Sequence, residues 1–290
     1  MRIKVIYNPV AGRGRARRHI AEAQECFRAN GAEVDCSASV TPADLTRLAA
    51  EASRAKYDRV VICGGDGSLN LAVRELDLSS VTLALLPMGS GDDFARVAGI
   101  PRDVKAACDV ALRGRVREVD VALANGIRYV GVAGLGFDSE VARFANERVG
   151  LLRGSAVYLY AILRVLPRFR PHRIRVEYDD TIREEEVMFA VVGNSQQYGG
   201  GIRITPQASI DDGLLDLCMI GKTSRMHLLR TLPTAYTGKH LADPIVSTAR
   251  GTAFHISSER VMDIYADGER ITTTPTSFAI AAQKLRIVVP

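Results

Sequence analysis

The chain is predicted to be an α/β protein in two parts. An N-terminal parallel-sheet α/β domain spans 1–120, and a C-terminal, mainly antiparallel β-sandwich domain spans 121–290. Three observations lead there. Short apolar runs alternate with helical patterns through roughly the first hundred residues. Three of those runs end in glycine-containing loops. After Val119 the rhythm changes to closely spaced β-rich runs with few helices between them.

"IKVIY" (Ile3–Tyr7) reads as a buried strand. The next segment, Ala16 to Asn30, carries apolar residues at helical spacing (Ile20, Ala23, Phe27), and Gly31 supplies its stop. "AEVDCS" is a second strand. Thr41-Pro42 then reads as an N-cap followed by proline at the first helical position, opening a helix to about Ala55. "RVVIC" and "VTLALL" (Val81–Leu86) are further strands, separated by a helix from about Ser68 to Leu76. Near-continuous apolar strands separated by helices predict a parallel sheet covered on both faces. Ligands of such sheets bind beyond the carboxyl ends of the strands. The loops "NPVAGRG", "GGDGS" and "PMGSGDD" should therefore converge on one edge. In the second half, "RYVGVAG", "RIRVEY", "EVMFAVVG", "LLDLCMI" and "MDIYAD" read as strands, interrupted by helices near Arg153–Leu166 and Ser224–Tyr236.

The chain has 290 residues, 47% of them hydrophobic and 24% charged, enough for a sizeable core in each half. Its net charge of +5 is mild and points to no nucleic-acid partner, although basic residues cluster in "RGRARR" (Arg13–Arg18) and "LPRFRPHRIR" (Leu166–Arg175). The five cysteines (Cys26, Cys36, Cys63, Cys108, Cys218) show no C-x-x-C spacing and read as inert thiols in a reducing compartment. The chain enters a strand at once with "RIKVIY", leaving no room for a secretory leader, and has no apolar run of transmembrane length. The expectation is a cytoplasmic protein.

Three common nucleotide signatures fail. There is no G-x-x-x-x-G-K-[ST]. Gly12 and Gly14 are followed by Arg17 rather than a third glycine, and protein-kinase signatures are absent. What remains at "GGDGS" is an anion nest of backbone N–H groups at a helix start. Gly64, Gly65 and Gly67 let the chain approach a phosphate closely. Asp66, in their midst, would repel a bare phosphate and so implies an intervening cation. Mg²⁺ on a nucleoside triphosphate is the economical choice.

"NPVAGRGRA", "GGDGSLN", "PMGSGDDFAR", "GLGFDSEVA", "GGGIRITPQASIDDGLLDL" and "ADGE" occur in this order. The set resembles the soluble bacterial lipid kinases of the diacylglycerol kinase catalytic-domain family, which includes sphingosine and ceramide kinases. The G-G-D-G loop alone is shared with NAD kinases. The resemblance implies an ATP- and Mg²⁺-dependent kinase acting on the primary hydroxyl of a diacylglycerol-like or ceramide/sphingoid lipid. The alternatives are a small-molecule kinase such as NAD kinase, or a catalytically impaired lipid-binding regulator. Carried over by position, Asn8, Pro9 and Gly12 form one wall of the nucleotide site. Gly64, Gly65, Asp66, Gly67, Ser68 and Asn70 hold the phosphates, with Gly89, Ser90 and Gly91 of the third loop; the threonine expected after the second strand is matched by Ser39 or Thr41, of which the following Pro42 favours Ser39. Glu269 matches the proton acceptor, with Asp267 beside it, and Asp66 orders the metal–phosphate geometry. Asp212 and the Leu214 carbonyl match a structural Mg²⁺ site, with Ser209 where some relatives carry a lysine.

Two positions depart from the family pattern. Leu71 stands where a glutamate is usual, and Asp92 where an asparagine is usual. A lipid kinase must reach its substrate at a bilayer, so peripheral contact with the inner face of the membrane is expected. The apolar helix and arginines of Gly150–Arg173 supply the candidate surface. A homodimer is compatible with this reading.

Overall fold

The computed structural model of the chain describes residues 1–148 and 155–290, with side chains at 1–145 and 160–290. It divides into two units, the first comprising Met1–Val121 together with Ala281–Pro290, the second Ala122–Ile280. A single second domain running from 121 to 290 is thus corrected at its end, because the last ten residues return to the first unit.

In the first unit, β1 (Arg2–Tyr7), β2 (Glu33–Ala38), β3 (Arg59–Gly64) and β4 (Thr82–Pro87) are parallel, in the spatial order β2-β1-β3-β4. The chain's last strand, Leu285–Val289, joins β4 in parallel, and β5 (Arg115–Val119) completes the sheet antiparallel to it. The connecting helices are α1 (Ala11–Ala29), α2 (Pro42–Arg54), α3 (Asp66–Glu75), α4 (Asp93–Val97) and α5 (Val104–Arg113). Side chains of a strand alternate between faces. Ile3, Val5, Val61, Cys63, Ala84 and Leu86 therefore share one face, where they pack against Ala23 and Phe27 of α1 and Ala107, Cys108 and Ala111 of α5. Burying a side chain such as Phe27 contributes about 1.5–3 kcal/mol.

Local chemistry sets the helix ends. Thr41 caps α2 by accepting from the Asp44 amide, while the Asp44 carboxylate accepts from the Thr41 amide, a reciprocal box followed by Pro42. Helix α1 begins at Ala11, earlier than its apolar spacing indicates, but Gly12, Arg13 and Gly14 all have positive φ (55°, 60°, 79°). Its regular turns start only after that left-handed stretch.

The second unit contains β6 (Ala122–Ala124), β7 (Ile127–Tyr129), β8 (Val132–Gly136), α6 (Phe137–Arg148), α7 (Ser155–Val165), β9 (His172–Tyr178), β10 (Thr181–Gly193), β11 (Leu215–Gly221) and α8 (Arg225–Thr231). It continues with β12 (Val246–Gly251), β13 (Ala253–Ser258), β14 (Asp263–Ala266), β15 (Glu269–Thr273) and β16 (Thr276–Ile280). The strand pairings in this unit are antiparallel, in the order β15-β14-β8-β10-β9-β13-β16-β6-β7, with β11 and β12 branching from β10. Alternation again divides the faces. Ala133, Leu135, Ala190, Val192, Leu217 and Met219 enter a layer shared by strands from both ends of that order, which shows the sheet folding over on itself in sandwich fashion. Val132, Phe189, Val191, Cys218 and Ile220 face the opposite way, onto residues of α6, α7 and α8.

Burial pushes the Cys63 and Cys218 thiols up to about 12, so neither is a reactive thiolate near neutrality. Among the described residues no helix is long and apolar enough to cross a membrane.

Candidate active site

Parallel pairing of β1, β3 and β4 puts the residues after each strand side by side. The Asn8 amide donates to the Cys63 carbonyl at 3.0 Å, and the Met88 amide donates to the Gly64 carbonyl at 2.8 Å. The Asn8 side chain bridges two loops, accepting from the Val10 amide at 3.1 Å and donating to Ser68 Oγ at 3.4 Å. Pro9 follows Asn8 in this first wall. Ser39 is buried at the end of β2, its amide and hydroxyl both donating to the Tyr7 carbonyl.

The glycines are required because the loops meet through backbone. A Cβ on Gly12 would lie 1.9 Å from the Met88 carbonyl oxygen, and one on Gly89 would lie 2.6 Å from Gly65 Cα. Real contacts do not reach these separations, so the first loop rests on the third and the third on the second. Helix α3 starts at this junction with no side-chain cap. The amides of its first turn, Asp66, Gly67 and Ser68, have no intrahelical acceptor, and amides so placed suit an anion. Ser68 and Asn70 are themselves buried, whereas Ser90 is exposed and Gly91 is half-buried.

Asp66 makes contacts that its sequence context does not reveal. Its Oδ2 accepts from the Asp93 amide and its Oδ1 from the Phe94 amide, both at 3.1 Å. The carboxylate thus caps α4 and ties the second loop to the third. Asp92, one residue earlier, has φ 52° and is 2% exposed. Burial and the nearby Asp66 push its carboxyl upward, opposed by the Gly89 amide and Arg102.

In the second unit, the turn between β14 and β15 holds Asp267 and Glu269. Asp267 has φ 50°, and its two carboxylate oxygens accept from the Gly131 and Val132 amides at 3.1 Å each. It is a staple for the turn. The half-buried Glu269 carboxyl has no hydrogen-bond or ion-pair partner among the described residues, so its lone pairs are available to a ligand. Of the two acids, Asp267 is engaged by backbone amides and Glu269 is not.

Residues 2–124 match the diacylglycerol kinase catalytic domain, and residues 131–289 match the YegS C-terminal NAD kinase beta sandwich-like domain. A diacylglycerol kinase of Mycobacterium tuberculosis is 33% identical over 302 residues, covering all of this chain and 95% of that protein. The chain belongs to the diacylglycerol kinase family. It is therefore an enzyme, a phosphotransferase of the lipid kinase class. The Bacillus subtilis diacylglycerol kinase is 29% identical over 292 residues, covering all of this chain and 96% of that one. Among solved structures, a candidate diacylglycerol kinase of Bacillus anthracis str. Sterne superposes with a TM-score of 0.84 at 26% identity, covering all of this chain and 95% of that one.

In this kinase the Asp212–Leu214 position is built around an arginine. Asp212 Oδ1 accepts from the Leu214 amide at 3.0 Å, and Oδ2 takes the Arg250 guanidinium at 2.5 Å. Arg250 also reaches Asp216 at 3.2 Å, while Ser209 donates to Asp211 rather than to Asp212. The Arg250 guanidinium occupies the Asp212 carboxylate oxygen that is not taken by the Leu214 amide, putting a positive charge where a metal ion would have to sit. These residues do not fit a structural Mg²⁺ site as they stand. Arg250 lies far along the sequence from "IDDGLLD"; only the pairing of β12 with β11 brings it there.

The "GLGFDSEVA" motif contributes a perturbed acid. Asp138 accepts from the Tyr198 hydroxyl at 2.8 Å, yet burial pushes its carboxyl up to about 6. The folded state thus holds this proton more tightly than the unfolded chain, whose usual value is 3.8. Its contribution to stability is greatest below that usual value, declines as pH rises towards about 6, and is level above. Asp138→Asn should remove this decline and raise stability by roughly 1–3 kcal/mol above that pH. Thermal melts of both proteins across this range check it. Parallel curves would mean that Asp138 ionises normally.

Proposed function

We propose that this kinase transfers the γ-phosphoryl group of ATP to the primary hydroxyl of a diacylglycerol-like or ceramide/sphingoid lipid. The observation that carries the reading is the junction of the three glycine loops, which presents the open amides of α3 in a chain matched end to end by diacylglycerol kinases. In this reading those amides bind phosphate oxygens, and Asn8, Gly12, Gly89, Ser90 and Gly91 shape the surrounding wall. The Glu269 carboxylate accepts the hydroxyl proton as the lipid oxygen bonds to the γ-phosphorus and the bond to ADP breaks.

Mg²⁺ would arrive with the nucleotide. The Asp66 carboxylate accepts one hydrogen bond on each oxygen, leaving further lone pairs that suit a cation carried mainly by phosphates and water. When bound, the ion would neutralise phosphate charge. The deciding experiment incubates the protein with labelled ATP and a lipid panel, with NAD as the comparison substrate. Labelled lipid supports the proposal. Labelled NADP alone would favour the NAD kinase reading that the β-sandwich match also brings to mind.

We infer a cytoplasmic enzyme that docks reversibly on the inner face of the membrane. Arg164, Arg168 and Arg170 are exposed, beside Tyr160 and Leu163, which are 40% and 55% exposed. The Gly150–Gly154 part of the expected surface lies outside the described residues. Arg173 is less available, being paired with Glu184 at 2.8 Å. Each free arginine near an anionic surface adds about 1 kcal/mol, an attraction that salt screens. Activity on vesicles should rise with anionic lipid content and fall with ionic strength, while activity in neutral detergent micelles changes little. Arg168→Gln with Arg170→Gln should flatten the vesicle response. Vesicle activity indifferent to both lipid charge and salt would make these ordinary surface arginines.

A further inference from the structure

Arg102 lies outside every glycine-loop motif, yet it grips the third loop twice. Its Nε is 3.0 Å from Asp92 Oδ2, and its Nη2 donates to the Gly89 carbonyl at 2.7 Å. The other Asp92 oxygen accepts from the Gly89 amide at 2.7 Å. One carboxylate and one guanidinium therefore hold the N–H and the C=O of a single residue. Arg15 braces the arrangement from α1, donating to the Arg102 carbonyl at 2.5 Å and to the Pro87 carbonyl at 3.5 Å.

The identity of residue 92 gives the clamp its meaning. An asparagine here would accept from the Gly89 amide equally well and would tolerate the left-handed backbone. It would offer no charge to Arg102. The Asp92 side chain is 2% exposed and the Arg102 side chain 47%, so the arginine is the buried acid's link to neutrality and to solvent. Removing the guanidinium leaves a buried carboxylate unpaired beside the open amides of α3, a costly arrangement where phosphate charge must also be received.

We propose that Arg102 is a positioning residue for nucleotide binding, acting through Asp92 to hold the Gly89–Gly91 loop in shape. This rests on the reading of that loop as a phosphate site, and the test separates the two. Arg102→Ala, Asp92→Asn and the double variant are compared by calorimetric titration with ATP and by thermal melting without nucleotide. Arg102→Ala should weaken ATP binding at least about tenfold and lower the melting temperature. The double variant should return both to the Asp92→Asn level, within about threefold for affinity, because the orphaned charge is gone. In turnover, Arg102→Ala should raise KM for ATP more than it lowers kcat.

A double variant as weak as Arg102→Ala would place the guanidinium on the phosphates directly and overturn the proposal. So would an Arg102→Ala protein with wild-type affinity and melting temperature. If the wild-type chain binds no ATP, the kinase reading fails while the melts still judge the clamp: destabilisation reversed by Asp92→Asn supports it, and its absence overturns it. Should Arg102→Ala fail to fold, a folded double variant supports the clamp and an unfolded one overturns it.

Discussion

Purified Glu269→Gln should fold and melt like the wild type and lose at least about a hundredfold in kcat. The substitution keeps the shape of a side chain that touches no polar partner among the described residues, so the β14–β15 turn has nothing to lose. That turn is held instead by Asp267 through the Gly131 and Val132 amides. What disappears is a group able to take the proton of an attacking hydroxyl, a contribution typically worth about 10²–10⁴-fold. Steady-state kinetics on a lipid substrate, with a melt on the same sample, measures both quantities. Near-normal kcat in folded protein would remove Glu269 from the mechanism. The same substitution at Asp267 should destabilise instead, because an amide nitrogen would then face a backbone N–H.

Asp66→Asn should also lower turnover at least about a hundredfold, with a different signature. Both wild-type oxygens accept backbone N–H groups at the start of α4. Asparagine preserves one acceptor and turns its NH₂ toward the other amide. Leaving one donor unsatisfied costs about 1–3 kcal/mol. The melting temperature should therefore fall by several degrees, on the order of 2–4 °C per kcal/mol lost. In the proposed mechanism the missing charge also disturbs the metal–phosphate arrangement. Kinetics and melts together decide: full activity at reduced stability would leave Asp66 a helix cap with no part in catalysis.

Much of the fold was legible because its signals are local. The strands β1, β3 and β4 are apolar runs, β2 alternates polar and apolar residues, and Thr41-Pro42 and Gly31 mark helix ends by backbone chemistry that neighbouring residues alone supply. The glycine loops were legible for the same reason. The short α4 and the last strand were not anticipated. Leu285–Val289 reads as one more β-rich run at the end of a β-rich half, and its insertion between β4 and β5 depends on a partner more than 160 residues earlier.

The sequence by itself determined which residue types stand after each strand, and hence that amides and carboxylates gather at one sheet edge. That follows from the alternation of strands with helices and from glycine conformational freedom, which are encoded within a few residues of each loop. Only the tertiary structure decided which carboxylate is open and which is engaged. Asp66, Asp92, Asp212 and Asp267 are held by backbone amides or arginines, while Glu269 has no such partner among the described residues. The physical reason is that a charge's role depends on what lies within about 4 Å of it. Arg102 and Arg250 reach Asp92 and Asp212 across loops and strands whose closeness exists only once the chain has folded.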